Sequence, residues 1–300
     1  MAEPSNVAWD PDLLVRVETL EWRSRVLVAG FLQGLHRSRL RGFSSEFSQY
    51  QPYIQGDDLR YVDWRAFGRL DRLYIRQFEA ETNLRCQILF DASGSMGYRS
   101  ESAPFRKIDF AAMIAAAMMR LLLTQHDAFG LSVARKELVE HLPPRVSRLH
   151  FSRCLGHLET ARAEGDFDMV SCANALAELS PKRGLVAIFT DAWGDIDRLV
   201  EALQRLRYDH HEICLFQVVD PREMDFSFKD SLLFEDMESG SRMPVTPDWN
   251  RPQYLAALEK HQARLHQQCL NLGVTHCVLA TDQPPFEALA AFLAERESHP

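Results

Sequence analysis

Apolar residues recur at three- and four-residue steps over Leu13, Val17, Leu20, Leu27, Phe31 and Leu35, which predicts a helix across residues 10–36. The pattern then changes. Residues 37–86 are rich in Arg, Tyr, Phe and Asp and hold only short extended-looking pieces such as LRYVDW and RLYIRQF. From Arg85 a regular alternation begins. CQILF (86–90) is a continuous apolar run ending at Asp91, as expected of a strand buried on both faces. LVAIFT (185–190) is a second such run, and it ends at Asp191. Around these two, the spacing predicts helices over 108–124, 150–162, 172–179, 196–206, 252–272 and 286–296. It predicts further strands over 129–134, 212–219, 231–236 and 275–280.

Strands alternating with helices imply an α/β fold: a doubly wound, mostly parallel sheet with helices on both faces. Residues 1–84 then form an N-terminal helical and Arg-rich extended segment, a decoration on the α/β domain of residues 85–300. Residues 220–250 break the rhythm. They are acidic, contain Gly240, Pro244 and Pro247, and are expected to run over the surface.

Composition narrows the function classes. A hydrophobic fraction of 46% and a charged fraction of 25% are those of a folded globular chain, so long disordered stretches are not expected. The longest apolar runs, 26–35 and 111–123, fall short of the roughly 20 residues a membrane span needs. The polar N-terminus lacks the basic start and apolar stretch of a secretory signal, which points to a cytoplasmic protein. Six dispersed cysteines form no CxxC pair and read as small buried hydrophobes in a reducing compartment. The arginines between Arg16 and Arg85 are interleaved with Asp and Glu, and the net charge is −8. That is a composition for ion pairing and not for nucleic-acid binding.

The candidate chemistry lies where two apolar strands end in aspartate. In a doubly wound sheet, ligands gather beyond the carboxyl ends of the strands. Asp91 opens the sequence DASGSMG, which supplies hydroxyls at Ser93 and Ser95, while Gly94 and Gly97 permit a tight turn. Asp191 adds a second carboxylate. Two carboxylates and two hydroxyls make a hard oxygen set suited to Mg²⁺, Mn²⁺ or Ca²⁺, with places left for water or for a carboxylate from another molecule.

This DxSxS sequence resembles the metal-ion-dependent adhesion site of von Willebrand factor A (VWA) domains. The resemblance places Asp91, Ser93 and Ser95 in the first metal loop and Asp191 in the third. It also implies a second-loop threonine, and here the sequence departs. Residues 165–171 read GDFDMVS, with Phe167 in that place and Asp168 or Ser171 as substitutes.

A wider resemblance is to the domain-of-unknown-function-58 family, DUF58. Glu46, Phe47, Tyr53, Gly56, Asp57, Asp58, Arg60, Asp63, Trp64, Arg69, Phe78 and Glu79 match its block preceding the DxSxSM strand. The stretches FEDMESGSRMPVTPD (234–248) and TDQPPFEALAAFLAER (281–296) are also similar to it, and Gly68 departs from a more usual Ala. The resemblance implies a bacterial, non-enzymatic protein-interaction module. It further implies an adaptor or co-chaperone role beside a MoxR-type AAA+ ATPase or other VWA proteins, in assembly or maturation of a complex. The acidic and arginine residues around Trp64 read either as an ion-pair network holding the N-terminal segment or as a surface for the ATPase.

Two other functions stay open. Ser93-Gly94-Ser95-Met96-Gly97 is one residue away from a nucleophile elbow, so a serine hydrolase would need a histidine near Ser95, with His210, His211 and His276 as candidates. The absent second-loop threonine leaves room for a structural VWA-like protein with a vestigial metal site.

Overall fold

The computed structural model describes residue 14 and residues 19–37, 51–52, 74–75, 84–228, 230, 232–237, 240–286, 289–290 and 292. The DUF58-like residues from Glu46 to Arg69, apart from Gln51 and Pro52, lie outside the described residues, as do residues 293–300. The chain divides into two compact units, one of residues 1–31 with 84–299 and one of 32–83 with Pro300. Helix α1 (Leu20–Arg37) starts in the first and ends in the second. In the second unit, β1 (Gln51–Pro52) pairs antiparallel with β2 (Tyr74–Ile75).

The first unit continues with β3 (Arg85–Asp91), a 3-10 turn (Gly94–Gly97), α2 (Lys107–Thr124), β4 (Ala128–Ala134) and β5 (Leu138–Arg145). Helices α3 (Arg148–Thr160) and α4 (Met169–Leu179) follow, then β6 (Leu185–Thr190), α5 (Ile196–Tyr208) and β7 (Glu212–Val219). Next come the short α6 (Pro221–Asp225), the hairpin strands β8 (Leu232–Glu235) and β9 (Arg242–Val245), α7 (Pro247–Leu272) and β10 (Thr275–Ala280).

Six strands form one sheet in the order β10-β7-β6-β3-β4-β5, parallel throughout except for β5. The chain winds outward from β3 in one direction and from β6 in the other. Their junction is the switch point at which doubly wound folds open a crevice.

The continuous apolar runs form the centre because each strand there is covered on both faces. Every residue of β6 and of β7 is buried. Leu89, Val186, Ile188, Ile213 and Leu215 point into a core made with Leu176, Leu199, Leu203, Leu206 and Leu265 of α4, α5 and α7. Phe90, Phe189 and Phe216 are fully buried, with the Phe189 and Phe216 rings stacked at 4.9 Å. The Ala- and Met-rich helix α2 has fourteen buried residues and is core, as its composition suggests. Helix α1 docks through Leu20, Leu27, Val28 and Phe31. Its ends of contact are polar: Leu20 N donates to Glu159 at 3.1 Å and Arg120 Nε donates to Ser24 Oγ at 3.0 Å.

Three elements differ from the sequence expectation. The spacing assigns no element between residues 134 and 150, yet residues 138–145 form β5. An edge strand pairs on one side only, so it tolerates Pro143, Pro144 and half-exposed charges. Within residues 220–250 the strand expected over 231–236 is present as β8, and the structure adds α6 and β9, with Glu235 paired to Arg242 across the hairpin. Helix α7 begins at Pro247, five residues before the expected start, and contains Pro252.

Candidate metal centre

The carboxyl ends of β3 and β6 bring Asp91 and Asp191 to the switch point, and both side chains are buried. Asp91 is held at each oxygen. Its Oδ1 accepts from Ser93 N at 2.8 Å, and its Oδ2 accepts from Thr190 Oγ1 at 2.7 Å. The chain then turns through Ser93 to Ser95, whose hydroxyl oxygens lie 3.1 Å apart. A second tie fixes the loop from above: Gly94 N donates to Gly165 O at 2.8 Å, and Glu164 N donates to Ala92 O at 3.0 Å. Gly94 has no room for a side chain, because a Cβ there would collide with the Met237 carbonyl at the tip of the β8–β9 hairpin.

Asp191 is held differently. Its Oδ1 accepts from Trp193 N at 3.2 Å, and its Oδ2 meets the Lys107 ammonium at 2.9 Å. Lys107 is fully buried at the start of α2 and also reaches Glu223 Oε1 at 2.6 Å. Glu223 is fixed in turn by a capping box, its Oε2 accepting from Asp220 N at 2.8 Å. Gln217 Nε2 donates to the Asp191 carbonyl at 3.1 Å, and Ala192 adopts a left-handed φ of 55° just past the strand. The third loop is thereby locked in an orientation that aims Asp191 at Lys107.

Burial pushes the Asp91 carboxyl up to about 7, and the nearby Asp191 charge pushes the same way, against the hydrogen bonds from Thr190 and Ser93. Burial also raises Glu223, opposed by Lys107. For Lys107, burial works to lower the ammonium, but Asp191 and Glu223 outweigh it and leave it raised. With the Lys107 ammonium shared between Asp191 and Glu223, the two strand ends stay negatively charged when Asp91 is ionised. A divalent cation would offset that charge.

The residues therefore fit such an ion. Asp91 and the Ser93 and Ser95 hydroxyls would hold it. Each carboxylate oxygen of Asp91 accepts one hydrogen bond and retains a lone pair for a metal. They open onto a cavity of about 310 Å³, lined also by Thr190, Asp191, Trp193, Phe167 and Asp166, with Lys136 and Arg198 among its walls.

Asp168 lines the same cavity, but its oxygens cap α4. It accepts from Ser171 N at 3.2 Å and from Ser171 Oγ at 3.0 Å, and it pairs with Arg198 at 2.9 Å. No second-loop hydroxyl approaches Asp91 among the described residues. The hydroxyl that does so belongs to Thr190, the residue before Asp191. Thr190, Lys107 and Glu223 are the site residues that sequence reasoning missed.

The histidines singled out for a hydrolase lie elsewhere. His211 immediately precedes β7, at the end of the sheet opposite the site, and is buried. His276 bonds to Gln217 at 3.2 Å. No histidine lines the cavity at Ser95 among the described residues, and the hydrogen bond of Ser95 Oγ runs to Ser93.

The profile of a family described as "Protein of unknown function DUF58" matches residues 49–264. The uncharacterized proteins Rv1480 of Mycobacterium tuberculosis and Mb1516 of Mycobacterium bovis are each 26% identical to the chain over 294 residues, covering 96% of it and 90% of the relative. Among solved structures, BatB from Bacteroides thetaiotaomicron aligns over 72% of this chain and 98% of its own at 13% identity and a TM-score of 0.44. An aerotolerance-related membrane protein from Bacteroides fragilis aligns over 71% and 99% at 13% identity and a TM-score of 0.46. The SpRpn10 VWA domain aligns over 69% and 94% at 8% identity and a TM-score of 0.39. Among the described residues of the present chain, no helix is long and apolar enough to cross a membrane.

Proposed function

This chain belongs to the DUF58 family of proteins of unknown function, and we propose that it is a non-enzymatic, metal-dependent protein-binding module of VWA type. One divalent cation, Mg²⁺ or alternatively Mn²⁺ or Ca²⁺, binds at Asp91, Ser93, Ser95 and Asp191, which line one cavity. A partner's Asp or Glu completes the coordination shell. The supporting observation is the pair of buried carboxylates at adjacent strand ends, beside two serine hydroxyls, opening to one cavity. The partner class implied by the family resemblance is a MoxR-type AAA+ ATPase, with this protein as adaptor or co-chaperone in assembly of another complex.

A second reading is favoured by Lys107. Its ammonium already neutralises Asp191, as in a structural protein whose metal site is vestigial.

The two readings separate in thermal unfolding. Metal that binds only the folded state raises the midpoint with concentration. Saturating Mg²⁺ is expected to raise the wild-type midpoint by roughly 5 °C over EDTA, and Asp91→Ala to abolish the rise. The same substitution is expected to release an AAA+ partner captured in Mg²⁺. Identical midpoints in EDTA and in millimolar Mg²⁺, Mn²⁺ and Ca²⁺ would reject the metal-dependent module and leave the structural reading.

A further inference from the structure

We infer that Lys107 is a built-in counter-cation that removes one negative charge from the metal centre at Asp191, and so determines how tightly a divalent ion is held. This rests on the metal-binding reading above and goes beyond it. Surface lysines at helix starts are common, but this one is fully buried and makes both of its ion pairs inside the protein. The placement is also contrary to the helix dipole, which disfavours a cation in a first turn. Two carboxylates from distant parts of the chain hold it there, Asp191 from the end of β6 and Glu223 from α6.

The geometry has two consequences. The first concerns direct coordination. Asp191 Oδ2 meets the ammonium and Oδ1 accepts from Trp193 N, so Lys107 competes with the cation for Oδ2, while neither oxygen of Asp91 faces an ammonium. The second concerns charge. Asp91, Asp191 and Glu223 contribute three negative charges and Lys107 removes one. Deleting the ammonium leaves three and frees Asp191 Oδ2 to coordinate, both of which favour the metal. Deleting the Glu223 charge leaves one and lets Lys107 bear on Asp191 alone, which disfavours it.

The two substitutions therefore act in opposite directions, which a merely structural role for Lys107 would not produce. Isothermal titration of the full chain with Mg²⁺ and with Mn²⁺ is the test. Lys107→Met is expected to tighten binding a few-fold or more, and Glu223→Gln to weaken it a few-fold, both acting through the charge left on Asp191. Glu223→Gln keeps the side-chain shape and carries the test by itself if Lys107→Met fails to fold. Wild-type binding with unchanged or parallel shifts in the variants would overturn the role of Lys107 and leave the metal site standing. No metal uptake by the wild type would overturn both.

Discussion

In EDTA the protein is expected to lose stability as pH rises from about 4 to about 7, and Asp91→Asn is expected to remove most of that loss. The sign follows from the proton. Burial and the Asp191 charge raise the folded-state pKa of Asp91 from 3.8 to about 7, so the folded protein holds a proton that the unfolded chain releases. The stability contributed by the protonated form is complete below the unfolded value and disappears as pH rises through the folded one. A shift of that size corresponds to something on the order of 4 kcal/mol. Asparagine keeps the shape and can still accept one of the bonds from Ser93 N and Thr190 Oγ1, but it carries no charge to desolvate. A divalent ion acts on the same charge, so its stabilising effect is expected to be larger at pH 8 than at pH 6. Urea unfolding in EDTA and in Mg²⁺ across this range checks both statements. Superimposable wild-type and Asp91→Asn profiles in EDTA would mean that the Asp91 charge is solvated, contrary to its burial.

Phe189→Ala is expected to cost about 3–5 kcal/mol. Phe189 is fully buried one residue before Thr190, with its ring 4.9 Å from Phe216 and 6.4 Å from Phe90. Truncation leaves a cavity that the sheet cannot close, because backbone pairing fixes β6 between β3 and β7. Loss of the ring also loosens the support of Thr190 and Asp191, so the Mg²⁺-dependent rise in midpoint should shrink as well. Equilibrium urea denaturation measures the first effect, and a cost below about 1 kcal/mol would contradict a close-packed core at this position.

Much of this architecture is legible along the chain, for a physical reason. A strand covered on both faces is apolar on both sides of the chain and not on alternate residues, so CQILF, LVAIFT and EICLFQVV announce themselves despite the buried Gln87, Glu212 and Gln217. The first polar residue after the first two runs marks the strand end at which a site forms. Asp91 and Asp191 are therefore found from sequence. Lys107 is not. In the run FRKIDF it follows Arg106 at a helix start and reads as a solvated charge, and only the fold brings Asp191 and Glu223 to it. Thr190 is hidden differently: it counts as the last residue of an apolar strand until the neighbouring strand places Asp91 beside its hydroxyl. β5 is obscured because an edge strand needs no continuous apolar pattern, and its charges and prolines resemble those of a loop.

The close approach of Gly94 to the Met237 carbonyl makes the DASGSMG loop unsuitable as a portable cassette. Grafted onto another sheet, it would lack the hairpin that lies against it. Diversified in place, it would accept a side chain at position 94 only together with a compensating change near Met237. Libraries that randomise the loop alone should therefore retain glycine there, while libraries that also vary the hairpin should recover paired substitutions.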